Sequence, residues 1–493
     1  MRLPIFRIWK RPKARQHATL ALGTLFIYLA FLPPGIYSID GNSMLAVADS
    51  LVVHHNTTVP AGLGIVGRDG QAYSSWYPLQ SLLSVPFVTL GVLAAHVLHL
   101  PTHYVEALLA QILPALCTVA TVPFVYLIAK ALGGTELGAW LAALTYAFGT
   151  IAMVYAREFF AEPLLALLIA AAFYLVLEGN AWLAAVLTAL AVLAKPTGII
   201  VGLVLSAYLV IKRRSWHGVV PAIGSGFGLA TYFLYNYYRF GSPFIFGQPW
   251  NRFSFWAIPQ GVAGLLISPG AGLIWFCPCV ILAFVGLART ARRLEALAIM
   301  VNLAGFVALH SCWQDWSGGW SWGPRYLLPA LPGLVALTGV LQGKWQKTLA
   351  VLAVTGFLVS APTLISFYER YYAEANELGI TNAELMWLPI DSPLLHAWPA
   401  AARQVNDASG QDVRELFRER GAPATTIASS RALRIVAVWW WVLPIVHIPW
   451  LMGAGVSIIL VMFGIWLIIG AYPRPYSISE LAQRPAPQPD STF

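Results

Sequence analysis

Ala181-Trp-Leu-Ala-Ala-Val-Leu-Thr-Ala-Leu-Ala-Val-Leu-Ala-Lys195-Pro196-Thr197-Gly198-Ile-Ile-Val-Gly-Leu-Val-Leu-Ser-Ala-Tyr-Leu-Val-Ile-Lys212-Arg213-Arg214 reads as two apolar helices, 182–194 and 197–211, broken at Lys195-Pro196 and closed by three cations. Each falls short of the roughly 20 residues of a full membrane crossing. Proline at 196 ends the first helix, because it has no N–H to donate. A lysine placed there is either a snorkelling anchor at the membrane edge or a cation facing a polar cavity. Two short helices meeting at one charge favour the cavity.

The rest of the chain has the same character. Of its 493 residues 58% are hydrophobic and 10% are charged, against about 25% charged in a soluble domain. Mean hydropathy is +0.68. Fifty-one charged side chains cannot cover a water-soluble fold of this size, which excludes a soluble enzyme, a disordered chain and a collagen. The apolar runs are 15–25 residues long, not the alternating ten-residue segments of a β-barrel. The fold class is therefore an all-α polytopic membrane protein. Its excess charge of +9 reports topology rather than nucleic-acid binding. Cys117, Cys277, Cys279 and Cys312 lie in apolar runs as free thiols, and Cys277-Pro-Cys279 lacks the spacing of a redox or zinc pair.

Arg2, Arg7, Lys10, Arg11, Lys13 and Arg15 precede the first apolar run, 18–36, with no acid among them and no cleavage site after it. The positive-inside rule puts this end in the cytoplasm, together with Lys212–Arg214, Arg289/Arg292/Arg293 and Lys344/Lys347. Spans are expected at 18–36, 105–130, 137–155, 160–177, 182–194, 197–211, 219–239, 271–288, 295–311, 326–342 and 347–366, with one or two passes in 435–472. Parity then places Lys195, Arg157-Glu158 and the loop 37–78 outside. Only one crossing can join residue 78 to residue 130, so the apolar segment 79–100, which carries Gln80, Pro86, His96 and His99, is expected not to span. Residues 367–434 hold 16 charged residues, nine of them acids, and read as a small segment outside the membrane; the Pro-rich tail 473–493 reads as disordered.

Once the acids of the 367–434 segment, the tail, the cytoplasmic helix ends and Glu106 are set aside, six acids remain on the outer side: Asp40, Asp49, Asp69, Glu158, Glu162 and Asp315. Asp40-Gly41 opens a long loop, 37–78, rich in Gly, Tyr and Ser, as either an Asp-Gly turn, a helix cap or a functional acid. Glu158 and Glu162 stand one helical turn apart, before Pro163 at a helix start. Trp313-Gln-Asp315-Trp316-Ser-Gly-Gly-Trp320-Ser-Trp322-Gly323-Pro324-Arg325-Tyr326 carries four tryptophans in ten residues. An interfacial belt needs neither its three glycines nor Arg325, whose charge opposes the dipole of the helix it opens and suits an anion such as phosphate.

Four segments in order, Asp40, Ala156-Arg157-Glu158-Phe-Phe-Ala-Glu162-Pro163, Leu193-Ala-Lys195-Pro196-Thr197 and Trp322-Gly323-Pro324-Arg325-Tyr326-Leu-Leu-Pro-Ala-Leu-Pro332, together resemble the GT-C superfamily of membrane glycosyltransferases. Within it they are most similar to the protein O-mannosyltransferase and lipid A aminoarabinose transferase branch, over residues 15 to about 345. The resemblance implies a bundle of about 11–13 transmembrane helices. A catalytic module would fill 1–366, followed by the outer segment 367–434 and a C-terminal helix or pair in 435–472. It implies a polyprenyl-phosphate sugar as donor, a first-loop aspartate (Asp40) as base, a second acid after the third helix (Glu158 or Glu162) and a lysine (Lys195) on the donor phosphate. Relatives often have Asp at the second acid position, where this chain has Glu158 or Glu162. It also lacks a large C-terminal soluble domain.

The residues suit that chemistry. A phosphate leaving group needs cations, which Lys195 and Arg325 supply, and the acceptor hydroxyl needs a base, Asp40. One displacement inverts the sugar. Tyr73, Tyr77, Arg157, Trp322 and Tyr326 are the further expected substrate contacts. No cofactor is required; Asp40, Glu158 and Glu162 are the acids able to hold a divalent metal if one is used. The expected partners are the lipid-linked donor, a glycan, lipid or protein acceptor and membrane lipid, with no nucleic acid. The expected location is the plasma (inner) membrane, with the N-terminus cytoplasmic and the active site extracytoplasmic. The competing readings are a transporter or flippase of lipid-linked sugars, a non-catalytic scaffold, and an O-antigen ligase or polymerase.

Overall fold

The computed structural model describes residues 14–246, 250–410, 413 and 435–473. Five of the six N-terminal cations, most of 411–434 and the tail expected to be disordered lie outside the described residues. In chain order the α-helices of six or more residues are α1 (Ala14–Ala30), α2 (Ile39–Val53), α3 (Pro78–Leu98), α4 (Thr102–Ala110), α5 (Ile112–Ala131), α6 (Glu136–Phe148) and α7 (Glu162–Leu177). They continue as α8 (Ala181–Ala194), α9 (Ile199–Arg213), α10 (Val220–Phe240), α11 (Ile258–Ile267), α12 (Ile281–Arg289) and α13 (Arg293–Ser311). The last are α14 (Leu331–Ala336), α15 (Lys344–Ser360), α16 (Glu369–Glu377), α17 (Asn382–Trp387), α18 (Pro393–Ser409) and α19 (Trp450–Gly470). Between α2 and α3 a small antiparallel hairpin pairs β1 (Ile65–Val66) with β2 (Ala72–Tyr73). Among the described residues seven helical stretches are long and apolar enough to cross a membrane, and five shorter apolar helices fill in between them.

The break at Lys195 is as expected. Asn180 caps α8, its side chain accepting from the Leu183 N–H, and Lys195 ends it in extended backbone (φ −163°, ψ 130°), the conformation a following proline favours. Proline also explains the departures. The expected span 271–288 splits at Cys277-Pro278, and 326–342 begins as a 3-10 coil, Arg325–Ala330, containing Pro329. Residues 435–472 hold one long helix, α19, behind a 3-10 coil, Trp439–Val446, that contains Pro444. Helix α11 was not foreseen; its ten residues are too few to stand out as a span.

Two ends of the bundle are distinct. At one, Lys130 pairs with Glu136 at 3.1 Å, Lys212 with Glu295 at 2.7 Å, Arg213 donates to Gly179 O at 3.2 Å and Arg289 lies over Trp345. The basic clusters thus share one end, with the start of α1, where Gln16 donates to Ala471 O. Helix α5 runs antiparallel to α1: the His17 and Tyr126 rings meet at 4.6 Å near the basic end, and Gln111 donates to Gly35 O at 3.1 Å near the other.

That pairing bears on the segment 79–100. Helix α3 has the length and apolarity of a span, yet Ser81 on it bonds to Met44 O of α2, and Gly91 sits where a Cβ would lie 2.7 Å from Glu106 Cα of α4. Both neighbours belong to the end opposite the basic clusters. These contacts tie α3 to the helices on either side of it, and the expectation that α5 makes the single crossing of this region is tested by labelling.

Helices α16 to α18 cover the same end. Tyr372 donates to Ser321 O at 2.8 Å, Ser392 to Pro269 O at 2.7 Å, and Gln404 joins the Phe367 N–H to Ile435 O. The cover is stitched to the bundle through backbone carbonyls of the loops beneath it.

Candidate active site

Helix α2 opens the site. Ser38 caps it, its Oγ accepting from the Gly41 N–H at 3.1 Å, so the helix begins at Ile39 and Asp40 lies in its first turn. A carboxylate there is favoured by the helix dipole. Gly41 fixes the helix in place. A Cβ on it would lie 2.7 Å from Ser38 Oγ and 3.0 Å from Phe159 O. The space beside Gly41 is thus filled by the 157–162 turn and is not a substrate passage, and the close approach sets Asp40 beside Glu162.

Four charges from distant segments converge. Lys195 Nζ lies 2.7 Å from Glu162 Oε1, Arg325 Nε 3.6 Å from the same oxygen, and Arg325 Nη1 3.3 Å from Asp40 Oδ2. Two cations alternate with two carboxylates, and the charges cancel. The Asp40 side chain is 23% exposed and the Glu162 side chain 4%, so Asp40 is the acid that a substrate can reach. Burial raises the Asp40 carboxyl above its usual range; Arg325 opposes this, and Glu162 adds to it. Arg325 Nε is buried and makes no hydrogen bond.

Aromatic rings hold the cations. Arg325 lies over Phe160 at 4.1 Å and Lys195 over Tyr326 at 4.6 Å. Tyr326 stacks at 4.5 Å on His310, whose Nδ1 bonds to Phe306 O. Gly323, at φ +64°, makes the turn that aims Arg325 inward; its Cβ would strike Phe276. Tyr77, at the start of α3, packs on Tyr232 and is within electrostatic reach of Tyr326, Glu162 and Asp40.

Other expected residues lie elsewhere. Arg157 is buried and donates to three backbone carbonyls, Phe31, Thr363 and Ala437, so it ties α1 to two later segments and leaves its fork little freedom to bind substrate. Glu158 makes backbone hydrogen bonds to Tyr155 and Phe160, and its carboxylate accepts none among the described residues; burial and the nearby Glu369 push that carboxyl well up. Trp322 is 1% exposed and packs edge-on against Phe276. Tyr73 bonds to Asp69 at 2.8 Å within the hairpin, against Phe240. Among the described residues no three His, Cys, Asp or Glu side chains come close enough to hold a metal ion, so Asp40, Glu158 and Glu162 do not form a three-ligand set.

The sequence reading missed three residues. Glu369 of α16, held by burial at about 7, backs Arg157 and Glu158. His310 and Phe160 steady the cations. His310 stood beside the tryptophan run, and Phe160 stood between the two candidate glutamates, so position was a usable signal for both. Nothing in the sequence separates Glu369 from the eight other acids around it.

The sequence matches the family model of dolichyl-phosphate-mannose-protein mannosyltransferases over residues 102–235. No curated protein matches it. Among solved structures, ArnT from Cupriavidus metallidurans in the apo state aligns with a TM-score of 0.50 at 16% identity, over 92% of this chain and 76% of that one. The same protein bound to undecaprenyl phosphate gives 0.51 at 14% identity, over 93% and 78%. The archaeal oligosaccharyltransferase AglB from Archaeoglobus fulgidus, in complex with an inhibitory peptide and a dolichol-phosphate, aligns less well, with a TM-score of 0.44 at 11% identity, over 89% and 64%.

Proposed function

We infer that this chain, a polytopic membrane protein with the GT-C glycosyltransferase fold, moves a sugar from a polyprenyl-phosphate donor to an acceptor hydroxyl at the end of the bundle where Asp40 lies. The observation that carries the reading is the convergence of Asp40, Glu162, Lys195 and Arg325 from four segments into one cluster. The undecaprenyl phosphate bound by the similar ArnT structure supports a lipid monophosphate as the leaving group. The positive-inside rule puts the basic end in the cytoplasm and this site on the extracytoplasmic face.

In this mechanism the donor phosphate shares Lys195 and Arg325 with Glu162. Arg325 Nε, buried without a hydrogen bond, is the donor it completes. Asp40 takes the proton from the acceptor hydroxyl as its oxygen attacks the anomeric carbon. The bond from that carbon to the phosphate oxygen breaks on the opposite face, and the configuration inverts. The phosphodiester donor carries one negative charge, and the departing phosphate monoester carries two. The proton gained by Asp40 offsets that increase, so total charge is conserved and the two cations meet the charge that develops. Glu162 holds both cations in place before donor arrives.

The test is product formation in membranes supplied with radiolabelled polyprenyl-phosphate sugar and candidate acceptors. Label transferred to an acceptor, with free polyprenyl phosphate released, supports the transferase. Intact donor moved across the bilayer with no bond cleaved would instead support a flippase and overturn this reading.

A further inference from the structure

We propose that α18 lies in the membrane surface at the site end, with its outer face against phospholipid, and that this seating holds the α16–α18 cover over the bundle. Helix α18 has two apolar faces. One is buried against the protein through Pro393, Ala397, Ala400, Ala401 and Ala408. The other carries Leu395, Trp398, Ala402 and Val405, spaced three, four and three residues apart on one stripe. Leu395 is 60% exposed, Trp398 53% and Val405 38%. Polar residues flank the stripe: Arg403, paired with Glu374, and Asp407, paired with Arg370.

An exposed apolar stripe needs a named occupant, and its continuity with α15 supplies one. Helix α15 belongs to a membrane-spanning stretch, and Val351, Val354 and Leu358 form its exposed face. Trp398 Nε1 donates to Leu358 O at 3.2 Å. The lipid-facing stripe of α15 therefore runs directly into the stripe of α18, with a tryptophan at the corner. Tryptophan favours the level of the headgroups, where its ring is apolar and its N–H is satisfied. Beside the corner, Ile365, Trp398, Ala401, Ala402 and Val405 line an open groove of about 510 Å³ that Asn406 and Ser409 bound on its polar side, apolar along the stripe and polar at its edge. A helix whose outward face is apolar and flanked by charges lies in the plane of the interface.

The test uses the full chain in phospholipid nanodiscs. Cys312→Ser removes the partly exposed thiol, and the other three cysteines are buried. Single cysteines at Leu395, Val405 and, as a water-facing control, Glu377 are spin-labelled, and collision with oxygen is compared with collision with a water-soluble nickel chelate. Lipid seating predicts that oxygen dominates at 395 and 405 and nickel dominates at 377. Nickel access at 395 and 405 equal to that at 377 overturns the proposal, because the stripe is then in water. Shielding from both reagents overturns it too, because protein then covers the stripe. The readout needs no substrate, so its failure is separable from failure of the transferase reading.

Discussion

In the proposed mechanism Asp40 is the residue on which the chemistry turns. Asp40→Asn keeps its size but cannot take a proton, and should lower transfer roughly 10²–10⁴-fold while donor affinity holds. Its raised carboxyl also has a stability consequence. A group whose folded pKa lies above its unfolded one favours the protonated state, so its penalty grows as pH rises past the ordinary carboxylate range. Asp40→Asn should therefore keep or slightly raise the melting temperature at neutral pH; a marked fall would mean that Asp40 serves the fold. The same shift places the acidic limb of the rate profile above the usual carboxylate range. Glu162→Gln removes a neighbour that raises Asp40, so the limb in that variant should move to lower pH. Asp69→Asn, whose partners are Tyr73 and Gln71, is the control and should leave turnover near wild type. Lys195→Gln and Arg325→Gln should each weaken donor binding roughly 10–100-fold, the worth of one charge-assisted hydrogen bond. Unchanged donor affinity in both would remove them from the phosphate site.

The helices decide whether those residues meet. Gly41→Ala puts a methyl where Phe159 O and Ser38 Oγ already stand, so α2 must tilt or slide. Turnover should fall at least tenfold from displacement of Asp40 alone, with donor affinity little changed because Lys195 and Arg325 sit on other elements. A cysteine at Thr102, just past α3, should react from the same side as one placed at Asp69. Reaction from the opposite side would make α3 a true span and break the parity of the bundle. Much at this scale was legible in the sequence. Lys195-Pro196 announced its own break, and Asn180 its own cap. Where reading failed, proline was usually the cause: Pro278, Pro329 and Pro444 cut apolar runs into coils whose ends composition alone does not mark. Arg157 and Trp322 misled for a different reason. Their types suit ligands, but only packing reveals that three carbonyls and a phenyl ring already occupy them.

At the scale of the whole molecule, distant parts of the chain are fastened by single side chains. Arg157 joins carbonyls of Phe31, Thr363 and Ala437, and Arg239 joins the first loop to α10 through the Ser74 and Trp76 carbonyls and Asn236. Arg157→Ala leaves buried carbonyls unmatched and should cost about 3–5 kcal/mol in unfolding measurements. Arg157→Lys should recover only part of that, since one ammonium cannot reach three directions. The convergence of Glu162 with Lys195 and Arg325 was half legible, since order and spacing brought the four segments together but left Glu158 and Glu162 interchangeable. The seam between α1 and α19 has a further consequence. Gly23 and Gly464 meet with no room for a side chain, and Ser457 bonds to Ala30 O across 427 positions of sequence. At a ribosomal pace of about 5–20 residues per second, α1 waits roughly 20–90 s in the bilayer before its partner is made. For that interval its glycine-bearing flank faces lipid or whatever the insertion machinery offers. The nascent bundle thus carries a bare seam on α1 until α19 is made, and termination before α19 would leave that seam exposed as a mark for quality control.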